Sequence, residues 1–212
     1  LACEMLGQVR ENARIARAER IPICQDTELA VVFAEIGQDV HIAGSSFRAA
    51  VDEGVRRGYT EGRLRASSLA PLSRVNTGDN TPAILHTELV EGDEIHITVA
   101  PKGGGSENKS RLAMLTPAEG IGGAEKVLLE TVQKAGGSPC PPLIVGVGIG
   151  GTMELYALMA KKALLHPVGQ RSADPRCAEL EQKWLRAINA LGIGAQGLGG
   201  TITALAVHLI AV

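Results

Sequence analysis

The sequence predicts an α/β chain, a single domain spanning 1–212 in which helices interleave with a mixed sheet that includes β-hairpins. Three observations predict it. Apolar residues recur at helical spacing in some segments and alternate in others, and the two kinds of segment take turns along the chain. The length of 212 residues fits one domain, and 45% apolar content is enough for a sizeable core. A glycine pattern that could open a Rossmann fold lacks the strand that should follow it, so the expected fold is not a Rossmann fold.

Residues 4–20 carry Met5, Val9, Ala13 and Ala16 at helical spacing and stop before Pro22. Residues 28–44 read as two short strands around Gly37-Gln38-Asp39. Residues 47–59 read as a helix with Gly58 near its end. Residues 83–101 alternate on both sides of Glu91-Gly92-Asp93, which predicts a hairpin. A helix with a glycine stop is expected over 124–137, a short buried strand over 143–148 and a helix over 152–165. Residues 174–192 enter on Asp174-Pro175 and stop at Gly192. The last segment, 201–212, is apolar to its end and reads as cut rather than finished. Leu1 in place of an initiator methionine suggests a missing N-terminal segment as well. No repeat, low-complexity segment or linker interrupts the pattern.

Composition excludes several classes of function. Net charge is -2 with no long basic run, and aromatics are only 2%, so neither an electrostatic nor a base-stacking nucleic-acid surface is expected. No uninterrupted apolar stretch reaches the roughly 18 residues of a membrane span. No signal peptide is visible, so a cytoplasmic chain with reduced cysteines is expected.

The chemistry-bearing motifs are glycine loops and cysteines. Gly146, Gly148 and Gly151 satisfy G-x-G-x-x-G between a strand and a helix. Where an acidic strand end should follow, residues 164–175 hold His166, Pro167, Gly169 and Pro175 instead. Gly192, Gly194 and Gly197 repeat the pattern after a helix, and residues 102–108 form a third cluster. Each loop could serve a tight turn or close packing, or together they could approach a small polyanion with backbone N–H groups. Of the four cysteines, Cys177 lines up with Leu180, Trp184, Ile188 and Leu191 on one helical face and reads as core, as does Cys3. Cys24 and Cys140 instead fall in loops, Cys140 between prolines, where a thiolate could be held outward. Two cysteines leave a metal site and a structural role both open. Arg63 and Arg65 share a face if extended, as either a carboxylate clamp or a solvated pair. Residues 76–82 read as a turn-rich loop with Asx-type hydrogen bonds. The five histidines form no ligand pair at helical spacing, although His86 and His96 could be neighbours across the hairpin.

Taken together, "PICQDT", "LRASS", "NTGDNTPA", "PKGGGSENKS", "SPCPPLIVGVGIGGTMELYALMAKKALL" and "LGIGAQGLGGT" occur in this order along essentially the whole chain. This set resembles the iron–sulfur-dependent hydro-lyases, the class I fumarate hydratase and L-tartrate dehydratase family, in their α subunit or N-terminal domain. The resemblance implies a [4Fe–4S] cluster on three cysteines with one iron open to substrate. Cys24 and Cys140 match the first two ligands; the third belongs to a family segment beyond Val212, and Cys177 is not its substitute. Gln25 and Asp26 match substrate-binding residues, Arg65 a carboxylate-binding arginine and Gly104 a backbone donor. Glu28 departs from the family's usual glycine. The implied function is reversible hydration of fumarate to malate, with L-tartrate dehydration as the alternative. The resemblance places the catalytic base, unidentified in this chain, on a separate β subunit, and implies a dicarboxylate substrate and a higher oligomer. A non-catalytic cluster-carrying module and a NAD-binding module are the remaining readings.

Overall fold

The computed structural model describes residues 1–212, and the chain forms an α/β structure with helices, a mixed sheet and no Rossmann core. It divides into two compact units, Ile15–Glu107 and Leu1–Arg14 with Asn108–Val212. The first helix, α1 (Ala2–Glu19), forms as its spacing predicts but buries no residue. Cys3 is therefore exposed, not core. Apolar spacing gave its helix, but too few large side chains stand on one face to bury it.

In the 15–107 unit, β1 (Leu29–Gly37) is the centre of a three-stranded sheet. It runs parallel to β2 (Ile84–Val90) and antiparallel to β3 (Ile95–Lys102), which leads into the short helix α3 (Gly104–Glu107). The helix α2 (Phe47–Glu61) starts on Ser46, whose hydroxyl accepts from Ala49 N–H at 3.2 Å. Its Val55 and Tyr59 pack with Ala30, Val32 and Ala83 in the core of this unit.

Two expectations are corrected here. Residues 83–101 form both strands and the turn, yet the strands do not pair with each other, because β1 lies between them. The turn straddles the end of β1: Gly37 N–H donates to Glu94 C=O and Gln38 N–H to Val90 C=O, each at 2.8 Å. A Cβ on Gly37 would run into the Gly92 carbonyl, so glycine is required where the turn crosses. Ala30 to Ala34 are all buried, which suits β1 to the doubly flanked position. Residues 40–43 accordingly form no strand, since both edges of β1 are already taken. His86 and His96 are consequently separated by β1; His86 stacks on Phe33, and His96 lies 3.4 Å from Glu94.

In the other unit, α4 (Gly120–Ala135), α5 (Met153–Ala163) and α6 (Pro175–Ala190) pack with the parallel pair β4 (Leu143–Ile149) and β5 (Ala204–Ala211). Asp174 caps α6 by accepting from Arg176 N–H at 2.7 Å, with Pro175 at the first position. Trp184, Ile188, Cys177, Leu128, Val132, Val207 and Leu209 form one cluster. Cys177 is core, as its helical phase predicts.

Candidate active site

The glycine patterns resolve into structural roles in this second unit. A Cβ on Gly146 would meet the Ala160 carbonyl, and one on Gly148 the Tyr156 carbonyl. These glycines let α5 lie directly on β4, so the dinucleotide-like pattern serves helix–strand contact. The loop after α6 holds the Cys140 loop. Gln196 N–H donates to Pro141 C=O at 2.7 Å, and Gln196 Nε2 donates to the same oxygen at 3.0 Å. Gly137 and Gly197 touch backbone to backbone, with no room for a side chain on either.

Between these contacts Cys140 is exposed, with φ at +56°. A non-glycine residue in this left-handed region is strained, and such strain persists only where surrounding contacts enforce it. Cys177 differs: burial, with Asp174 and Glu181 nearby, pushes its thiol pKa up and keeps it protonated. A cavity of about 340 Å³ opens beside it, lined by His166, Arg171, Ser172, Asp174 and Leu209 among others. None of the residues matched to the family site lies there.

In the 15–107 unit four loops meet on one surface. Cys24 is exposed at the start of the first loop, its Sγ accepting Asp26 N–H at 3.4 Å. The Asp26 carboxylate accepts Gly104 N–H at 3.3 Å and Gly105 N–H at 3.4 Å. A Cβ on Gly103 would strike the Asp26 carboxylate, and one on Gly104 the Glu28 carboxylate. The triglycine loop is thus folded down onto two acids. Lys102 braces it from inside, donating to Ser106 Oγ at 2.7 Å and lying 3.4 Å from Glu107.

The third loop carries Arg65, exposed, on backbone fixed by the fourth. Asn80 Nδ2 donates to Arg65 C=O, while its Oδ1 accepts Ser67 and Ser68 N–H, all at 2.9 Å. Asn76 Nδ2 donates to Ala66 C=O at 2.9 Å. Ser68 Oγ donates to Glu28 C=O, linking this pair of loops to the first. The Asx turns expected over 76–82 are present: Asn76 Oδ1 accepts Gly78 N–H at 2.7 Å and Asp79 Oδ1 accepts Thr81 N–H at 3.0 Å.

Gln25, Asp26, Arg65 and Gly104, read from separate motifs, thus stand on mutually bonded loops. Arg63 does not join Arg65 on an extended face. It lies just beyond the end of α2, in the left-handed region with φ at +51°. Sequence reasoning missed Tyr59 and Asn80 as parts of this assembly. Asn80 sat in a motif read only as turns; Tyr59 carried no signal beyond helical phase.

No group of three or more His, Cys, Asp or Glu side chains stands together as a metal site. Cys24 and Cys140 do fit the chemistry of an iron–sulfur ligand, since both are exposed thiols on loops.

Comparison with known proteins decides the family. A family model described as "Fumarate hydratase (Fumerase)" matches residues 1–212.

The chain belongs to the fumarate hydratase family.

Among its relatives in that family is "Putative L(+)-tartrate dehydratase subunit alpha" of Methanocaldococcus jannaschii. It is 44% identical over 211 residues, covering 96% of this chain and 74% of the relative. "L(+)-tartrate dehydratase subunit alpha" of Escherichia coli strain K12 is 33% identical over 192 residues, covering 89% of this chain and 63% of the relative. The chain therefore spans about two thirds to three quarters of the length of these relatives. Hydratase and dehydratase both denote hydro-lyases, and the fumarate hydratase assignment makes this a hydro-lyase chain. No helix is long and apolar enough to cross a membrane.

Proposed function

We propose that the chain is the α subunit of an iron–sulfur-dependent hydro-lyase acting on a four-carbon dicarboxylate, completed by a β subunit. The observation that carries this reading is the junction of the Gln25–Asp26, Arg65 and triglycine loops in one unit. Arg65 offers a planar fork suited to a carboxylate. Gln25 offers an amide to a second polar group of the substrate. Gly104 and Gly105 N–H groups, held by Asp26, offer donors once that carboxylate shares or yields them. Binding both ends of the substrate orients its reacting carbons.

Cys24 and Cys140 are the thiolates this chain would supply to a [4Fe–4S] cluster. When bound, the cluster supplies a Lewis-acidic iron for the hydroxyl that is added or lost. A base on the β subunit exchanges the proton on the adjacent carbon.

Hydration of fumarate to malate is favoured by the family model. Dehydration of L-tartrate is favoured by the names of the relatives. Glu28 supports the second reading, because a carboxylate beside Gly104 can accept from a substrate hydroxyl, and tartrate has one more hydroxyl than malate. Anaerobic assay of the complete complex decides between them, comparing kcat/KM for fumarate hydration with that for L-tartrate dehydration. Turnover of neither substrate would remove the reading.

A further inference from the structure

Arg65 is exposed at the end of a long side chain, so its value as a clamp depends on what fixes its backbone. Four backbone groups of residues 65–68 are occupied by asparagine side chains, three of them by Asn80 alone. Asn80 is 1% exposed. It adopts the left-handed region at φ +57°, which asparagine tolerates better than most residues. Its Oδ1 uses both lone pairs on Ser67 and Ser68 N–H, and its Nδ2 serves Arg65 C=O.

The Asn80 side chain also lies beside the Tyr59 hydroxyl, which donates to Thr27 C=O. Thr27 directly follows Gln25 and Asp26. Burial pushes the Tyr59 pKa up, so the phenol keeps its proton and remains a donor. Asn80 thus holds the arginine loop and Tyr59 holds Thr27 C=O from neighbouring positions. Ser68 Oγ, on the backbone that Asn80 fixes, donates to Glu28 C=O and ties the arginine loop to the loop of Gln25 and Asp26.

We infer that Asn80 is a positioning residue: with Tyr59 it sets the separation between Arg65 and the Gln25–Asp26 loop, and thereby the fit to a dicarboxylate. The inference rests on the proposed function, since it needs Arg65 to bind a carboxylate. Aspartate at position 80 would keep the two accepting bonds but lose the donor to Arg65 C=O. Alanine would lose all of them. Phenylalanine at 59 would keep the packing but remove the hydroxyl, and with it the bond to Thr27 C=O.

The test uses the complete complex, with succinate as a non-reacting dicarboxylate in calorimetry and turnover measured in parallel. Asn80→Ala should weaken succinate binding and raise KM at least about tenfold, with kcat changed much less, because ground-state and transition-state contacts are lost together. Asn80→Asp and Tyr59→Phe should give the same pattern at smaller size. In an Arg65→Ala background, Asn80→Ala should change affinity by less than about twofold, since its effect passes through Arg65. Succinate affinity unchanged in Asn80→Ala and Tyr59→Phe overturns the inference. So does an equal loss of affinity with and without Arg65, which would mark a general structural role. If Asn80→Ala does not fold, Tyr59→Phe and Asn80→Asp decide by the same criteria. A wild-type complex that neither binds succinate nor turns over a dicarboxylate overturns the functional reading, and the inference with it.

Discussion

The carboxylate of Asp26 accepts the N–H groups of Gly104 and Gly105, at 3.3 and 3.4 Å. Residues nearly eighty positions apart thus meet in one loop cluster, and a side chain on Gly103 or Gly104 would collide with the Asp26 or Glu28 carboxylate. These bonds are long, so the donors are held in place without being fully committed. Gly103→Ala should therefore push the Asp26 carboxylate off the Gly104 and Gly105 N–H groups and destabilise the 15–107 unit by about 1–3 kcal/mol. Gly54→Ala serves as control: Gly54 lies in α2 with open space at its Cβ position. Alanine there should be neutral or stabilising by up to about 1 kcal/mol. Thermal unfolding of the two variants checks this, and equal midpoints would contradict it.

Arg65→Lys keeps the charge but loses the planar fork. In the complete complex it should lower kcat/KM at least about tenfold, equivalent to about 1.4 kcal/mol of transition-state binding. Steady-state kinetics check this, and a value within twofold of wild type would return Arg65 to a solvated surface charge.

His208 is buried on β5 with neither ring nitrogen hydrogen-bonded. Burial lowers its pKa; Glu181 opposes this and His166 reinforces it. The unfolded chain then binds a proton at higher pH than the folded chain does. Stability from this group is full above the ordinary histidine pKa of about 6.5 and is lost as pH falls through the folded value below it. Melting curves between about pH 5 and pH 8 should show this decline, and His208→Leu should flatten it. An equal decline in His208→Leu would assign the pH dependence to other groups.

Much of this arrangement was legible in the sequence. The helices over 47–61 and 175–190 follow from spacing and caps, and Cys177 as core from its phase with Trp184 and Ile188. Gln25, Asp26, Arg65 and Gly104 are singled out only by the resemblance of their motifs to the family, since neither spacing nor composition marks them. Strand order was not legible. Alternation over 83–101 says which residues face together, not that β1 would insert between the two strands. Nor was the role of Asn80, because an asparagine in a turn looks alike whether it bonds its own turn or another loop. Cys3 failed for a third reason: helical spacing cannot say whether anything packs against the helix.

The four cysteines separate by environment, and serine substitutions should separate them by chemistry. In the complete complex, Cys24→Ser and Cys140→Ser should lose iron and activity together, because each removes a thiolate ligand. Cys3→Ser should leave both intact. Cys177→Ser should also keep the iron while losing some stability, since it puts a hydroxyl into the α6 core.

As proposed, this chain supplies thiolates from Cys24 and Cys140 to an iron–sulfur centre of a dicarboxylate hydro-lyase. Iron and acid-labile sulfide content of the anaerobically purified complex, wild type against Cys24→Ser, tests it most directly. Wild type should hold iron and sulfide in equal amounts, and Cys24→Ser should lose both. Undiminished iron and sulfide in Cys24→Ser, or their absence from a wild-type complex that still turns over its substrate, would contradict it.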